Sequence, residues 1–172
     1  MTAMPTLPPE LVEVATSLER QFQERGIHGQ KVGLAEWDAL SAKARSLIPS
    51  WLITLLANHA LAGPILERPH ESGRWMRYFC FWTPAEYAKR ITPDDPVRSR
   101  DNDWWLSEII VGLGFIPISD ESDGDMWIAS MTGGPSAPVY IYSLTGHETI
   151  LMNDNMAGFL ASFKISEDQG DE

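Results

Sequence analysis

Two clusters of carboxylates beside tryptophan are the side chains best placed for chemistry. Asp94, Asp95, Asp101 and Asp103 precede Trp104-Trp105, and Asp120, Glu121, Asp123 and Asp125 precede Trp127. Acids around a glycine can hold calcium, and Gly124 sits in the second cluster. A calcium loop of the helix-loop-helix kind needs alternating ligands, a central glycine and a glutamate at its twelfth position. That register fails here. Gly112-Leu113-Gly114 opens like a dinucleotide-binding turn but lacks the third glycine and a following helix. His28, His59, His70 and His147 lie far apart, and Cys80 is the single thiol, so no zinc spacing exists. Ser122 is flanked by acids, a poor setting for a nucleophile that needs an adjacent base, and no Gly-x-Ser-x-Gly elbow occurs. No catalytic, metal-binding or cofactor-binding residue is assigned, and the chain reads as a non-enzyme.

Acid beside tryptophan suits an interface instead. The ring supplies area that is desolvated on contact, and the carboxylates supply orientation and steering. The candidate partner-binding residues are therefore Asp94, Asp95, Asp101, Asp103, Trp104, Trp105, Asp120, Glu121, Asp123 and Asp125. The plain alternative is two solvated loops.

Charge narrows the choice of partner. The 172 residues hold 13 basic and 24 acidic side chains, a formal net charge of -11. Nucleic acid and anionic membranes both demand neutralising Lys and Arg, so neither is expected. A basic protein is, with its approach quickened by electrostatic steering. The segment Ser166 to Glu172 carries four of the acids and no base (Glu167, Asp168, Asp171, Glu172) and is expected to be a disordered tail. Met1 to Pro9 lacks a basic region followed by an apolar run, and Trp51 to Leu56 is far short of the ~20 residues of a membrane helix. One cysteine makes no internal disulfide. The expected location is the cytoplasm.

The elements that must carry these residues are legible from periodicity. A helix is predicted from Pro9 to about Arg25, with Leu11, Val14, Ala15, Leu18 and Phe22 on one face, proline at its start and Gly26 at its end. A second helical pattern follows Gly33 through Trp37, Leu40, Ala44 and Leu47. A third, almost wholly apolar helix runs from Ser50 to about Ala60. Trp75 to Trp82 reads as a strand, and Thr83-Pro84-Ala85-Glu86 as a capping box opening a helix to about Ile91. Thr92 to Asp103 is a polar loop. Glu108 to Val111 and Phe115 to Ser119 are predicted strands, the latter returning through a turn at Asp123-Gly124 to Met126–Met131. Val139–Tyr142 and Thr149–Met152 form a further hairpin. A last helix covers about Asn155 to Lys164, capped by Asp154. Helices first, then antiparallel hairpins, then a helix predict an α+β fold with one sheet of about four to six strands and helices on one face. Trp51, Leu55, Phe81, Trp127, Ile128, Tyr140 and Phe159 are the expected core.

From Leu47 to Phe163 the chain resembles the SUKH superfamily, which includes the fungal Smi/Knr cell-wall regulators and many bacterial immunity proteins. Three segments carry the likeness. Leu47-Ile48-Pro49-Ser50-Trp51 is similar to the family's Leu-Pro-x-x-aromatic helix start. Phe115 to Ile128 is similar to its strand, acidic glycine turn and aromatic return strand. Pro138 to Tyr142, through Thr145-Gly146-His147-Glu148 to Phe159-Leu160, is similar to its closing hairpin and helix. The family's usual Asn-Gly is Asn58-His59-Ala60 here, and the first 46 residues have no counterpart, which makes them a helical extension of one domain over residues 1–165. The resemblance implies an immunity protein that binds a cognate toxin with a basic surface and occludes its active or binding site. A Smi/Knr-like regulatory scaffold without a toxin partner is the other function it implies.

Overall fold

In a computed structural model, residues 4–91, 104–121 and 124–170 are described. The helices among them are α1 (Pro9–Glu24), α2 (Leu34–Asp38), α3 (Ala42–Leu47), α4 (Ser50–Asn58), α5 (Pro84–Arg90), α6 (Trp104–Gly112) and α7 (Met156–Ala161). The strands are β1 (Leu66–Pro69), β2 (Met76–Phe79), β3 (Phe115–Asp120), β4 (Met126–Ser130), β5 (Val139–Ser143), β6 (Glu148–Asn153) and β7 (Lys164–Ile165). The α+β class holds, with N-terminal helices, then antiparallel strands and a C-terminal helix between the last two strands. None of the described helices is long and apolar enough to cross a membrane.

Local chemistry explains most of the boundaries. α1 starts on Pro9 and buries Leu11, Ala15, Leu18 and Phe22 at helical spacing. Gly26 then takes φ +67, a conformation that stops helices and costs glycine little. The second helical pattern is two helices, because the Ser41 hydroxyl accepts from the Ala44 amide at 3.2 Å and begins α3 afresh. α7 is capped by Asn155, whose Oδ1 accepts from the Gly158 amide at 2.7 Å, and not by Asp154. Thr83 precedes α5 without a side-chain cap bond, so proline at the first turn is the operative start signal there.

The expected strand at Glu108 to Val111 is instead part of α6. A short apolar run fits a buried helix as well as a strand. Here burial decides, since Ser107 and Ile110 are covered while Glu108 and Ile109 face out, a spacing of three that one helix face produces. Gly114, at φ +92, ends the turn that follows.

The strands form two sheets where one was expected. The order β2-β1-β7 makes a three-stranded sheet, and β3-β4-β5-β6 a four-stranded antiparallel meander. In β4, Met126, Trp127, Ile128 and Ala129 are all buried. Successive strand residues point to opposite faces, so at β4 the meander is covered on both faces and not on one. Of the expected core, Trp51, Leu55, Phe81, Trp127, Ile128 and Phe159 are buried and Tyr140 is half-buried against it. Within the segment expected to be the tail, the Gln169 side chain bonds the backbone of Ile65 as a strand would. Its oxygen accepts from the Ile65 amide at 2.8 Å and its nitrogen donates to the Ile65 carbonyl at 3.0 Å.

The two sheets meet at an aromatic cluster. Phe79 of β2 packs edge-on against Phe81, Trp127 and Phe159 at 4.7, 6.3 and 5.0 Å, and Phe163 packs on Phe79, Trp127 and Phe159. The Trp127 indole N–H donates to the Tyr78 carbonyl at 2.8 Å. A second link runs through α5, where Tyr87 is wholly buried and its hydroxyl donates to the Pro117 carbonyl of β3 at 2.7 Å.

Burial pushes the Tyr87 hydroxyl well above its ordinary value. The folded state keeps this proton where the unfolded chain begins to lose it, near pH 10. The stabilisation is complete below that pH and falls as pH rises through it. Tyr87→Phe should cost about 1 kcal/mol at neutral pH for the lost hydrogen bond and should lessen the loss of stability between about pH 9 and 11. Denaturant titrations at both pH values measure this, and an unchanged alkaline decline would contradict it.

Candidate functional site

The second acidic cluster lies in the turn between β3 and β4, and its described members are engaged within the fold. The Asp120 carboxylate pairs with Arg90 Nη1 at 2.6 Å and accepts from the Trp82 indole at 3.2 Å. Its side chain stays 52% exposed. Glu121 is buried and lies 3.5 Å from the buried Arg77. Asp125 accepts from the Leu144 amide at 2.9 Å, and its carbonyl accepts from the Glu121 amide at 2.8 Å. Gly124 closes this turn at φ +86. Trp127, the aromatic expected beside these acids, is fully buried in the cluster that joins the sheets. Asp120 is thus the described acid of the turn that faces solvent, and the tryptophan next to it in space is Trp82.

Asp94, Asp95, Asp101, Asp103 and Asp123 lie outside the described residues, as does the loop predicted from Thr92 to Asp103. Trp104 and Trp105 open α6.

Around Asp120 the chain builds a groove of about 510 Å3, within the range of ligand-sized clefts. Its floor is the segment that leaves β2, with Tyr78, Cys80 and Trp82 contributing, and its far wall is the C-terminal segment at Asp168 and Gly170. Glu86 of α5 completes the rim. The positions follow from the fold. The Trp82 amide donates to the Ile118 carbonyl at 2.9 Å and the Cys80 amide to the Ser119 hydroxyl at 2.9 Å, which fastens the floor to the edge of β3. Gln169, bonded to Ile65, holds the wall.

Three carboxylates, Glu86, Asp120 and Asp168, therefore line an otherwise largely aromatic and apolar cleft. Arg90 is the cation drawn to it. Its guanidinium lies 4.3 Å over the Trp82 ring and pairs with Asp120, with Glu86 at 3.9 Å. The geometry suits the seating of a cationic or amphipathic side chain, with an apolar stem on the rings and a charge at the rim. Among the described residues no three His, Cys, Asp or Glu side chains group as a metal site would require.

Periodicity does not reveal this groove. Tyr78, Trp82, Glu86, Asp120 and Asp168 come from four stretches of chain and converge only once the two sheets pack. The aromatic run Tyr78 to Trp82 is the signal in the sequence: all five residues line the groove, with Phe79, Phe81 and Trp82 buried, Cys80 half-buried and Tyr78 exposed. The chain matches no protein-family model, no curated protein and no solved structure.

The thiol in the groove is quiet. Burial raises the Cys80 pKa, the charges of Glu86 and Asp120 add to this, and Sγ sits 3.4 Å from the Gly63 carbonyl. Since the thiolate is the reactive form, iodoacetamide should alkylate native Cys80 about ten-fold or more slowly than the unfolded chain at neutral pH. Mass spectrometry of the reaction course measures this, and equal rates would contradict the burial.

Proposed function

We propose that the protein works by binding another protein, as an immunity protein of the SUKH type that occludes a cognate toxin bearing a basic surface. The observation that carries this reading is the groove. It is concave, aromatic at its floor and lined by Glu86, Asp120 and Asp168, in a chain whose net charge is -11. A lysine or arginine of a toxin would lay its stem along Tyr78 and Cys80 and place its charge among the carboxylates. The run of helices, hairpins and closing helix agrees with the resemblance drawn from Leu47 to Phe163. A toxin that enters a neighbouring cell meets such an inhibitor in the cytoplasm, which is the compartment this role requires.

Where a toxin gene lies beside its own, co-expression with that toxin should yield a stable complex in which the toxin's activity is lost. Association should slow as salt rises, since exposed charges are screened over about 8 Å at physiological ionic strength. The triple change Glu86→Gln, Asp120→Asn and Asp168→Asn should slow it further and flatten the salt dependence. A toxin fully active in the presence of excess protein would contradict the role. A complex whose association rate ignores both salt and the triple change would contradict the groove.

A further inference from the structure

From Asp101 to Phe163 the chain contains no lysine or arginine, while Glu108, Asp120, Glu121, Asp125, Glu148 and Asp154 fall within that stretch. The whole four-stranded sheet is built from it. Its first strand, β3, is flanked by the segment through Cys80 and Trp82. Its last, β6, pairs only with β5 among the described residues. β6 is therefore an open edge, and four successive residues, Glu148 to Leu151, are exposed on it. Ile150 is 39% and Leu151 56% exposed.

Natural proteins blunt such edges with lysine, proline, bulges or very short strands. β6 has six residues, no proline and no lysine. The register shift against β5 falls between Val139 and Tyr140, which leaves Glu148 to Leu151 in regular pairing with Ser143 to Tyr140. On one face, Leu151 stands opposite the half-buried Tyr140, whose ring meets Phe115 at 5.3 Å. That apolar row runs across the sheet and ends in the open at Leu151. The base that reaches β6 from elsewhere is Arg68, which donates to Asn153 Oδ1 at 2.8 Å, at the strand's last residue.

We propose that β6 is a docking edge for an extended strand of a basic protein, which adds to the sheet antiparallel or parallel to Glu148–Asn153 with its lysines or arginines near Glu148 and Asp154. This rests on the protein-binding role proposed above and names a second place on the partner's footprint. Strand addition supplies main-chain hydrogen bonds for affinity and side-chain pockets for selectivity. A second copy of this chain is the poorer occupant. Two-fold pairing sets the same patch against itself, and the cation this patch could offer its twin, Arg68, is already bonded to Asn153 and Ser162.

The probe is a seven-residue peptide of alternating valine and threonine with a lysine at each end, compared with the same peptide ended in glutamates. Amide NMR of the full-length protein should show shifts concentrated in β6 and β5 with the lysine peptide. Its affinity should fall about five-fold for each like charge placed opposite, as in Leu151→Lys. Because Leu151 is exposed, this variant should keep the parent's melting temperature. The glutamate peptide should not bind. Equal binding of both peptides, or shifts at the groove with none at β6, would overturn the proposal. So would a concentration-dependent dimer that Leu151→Lys dissolves, which would make a second copy the occupant. Full retention of toxin binding by Leu151→Lys would remove β6 from the interface and leave the immunity role standing.

Discussion

The rest of this structure depends on the joint between its two sheets. Three strands, one of them only Lys164–Ile165, bury too little to stand alone, and a four-stranded meander needs a covered face. Phe79, Trp127, Phe159 and Phe163 solve both problems at once. They come from β2, β4 and the α7 region and meet mostly edge to face at 4.9 to 6.3 Å, the arrangement that aromatic quadrupoles favour. The indole N–H of Trp127, which would be costly to bury unpaired, finds the Tyr78 carbonyl. Size and polarity are both satisfied by one residue at the centre.

Several features of the site follow from that joint. The chain leaving β2 is held across the edge of β3, so the run from Tyr78 to Trp82 lines a groove, with Tyr78 and Cys80 its more exposed members. The turn after β3 lies alongside, and its acids have structural duties. Arg77 is almost wholly buried, and it faces Glu71 at 2.9 Å and Glu121 at 3.5 Å, so a buried cation is balanced by carboxylates. Burial alone would raise the Glu71 carboxyl, but the hydrogen bond and charge of Arg77 outweigh it and hold that carboxyl below its ordinary value. Acids that look alike in the sequence thus divide into those that close turns and pair with buried arginines and those, such as Asp120, that also face solvent.

What was legible in the chain was what depends on near neighbours. The amphipathic face of α1, the apolar α4 and the β3–β4 and β5–β6 hairpins each declare themselves by local period and turn residues. β1 and β7 did not, because Leu66-Glu67-Arg68-Pro69 and Lys164-Ile165 have no apolar alternation and become strands only by pairing with each other and with β2. α6 was misread for the opposite reason, an apolar run rich in Ile and Val whose burial pattern appears only once β3 lies beside it. The close approach at Gly29 is of the same long-range kind. A Cβ there would collide with the Ala60 carbonyl oxygen, in a segment whose neighbour Gln30 bridges to Ala62. The candidate site was legible in its charge and in Asp120, and not in its shape, since Glu86, Asp168 and Tyr78 join it through the fold.

The aromatic joint should make the two sheets one cooperative unit. Native-state hydrogen exchange on Phe159→Ala tests it most directly, because Phe159 belongs to neither sheet yet touches Phe79 of one and Trp127 of the other. The amides of β1 and β2 and those of β4 and β5 should lose protection together, by the same ~3–5 kcal/mol expected for a buried Phe→Ala change. Loss confined to one sheet, with the other keeping the parent's protection, would contradict it.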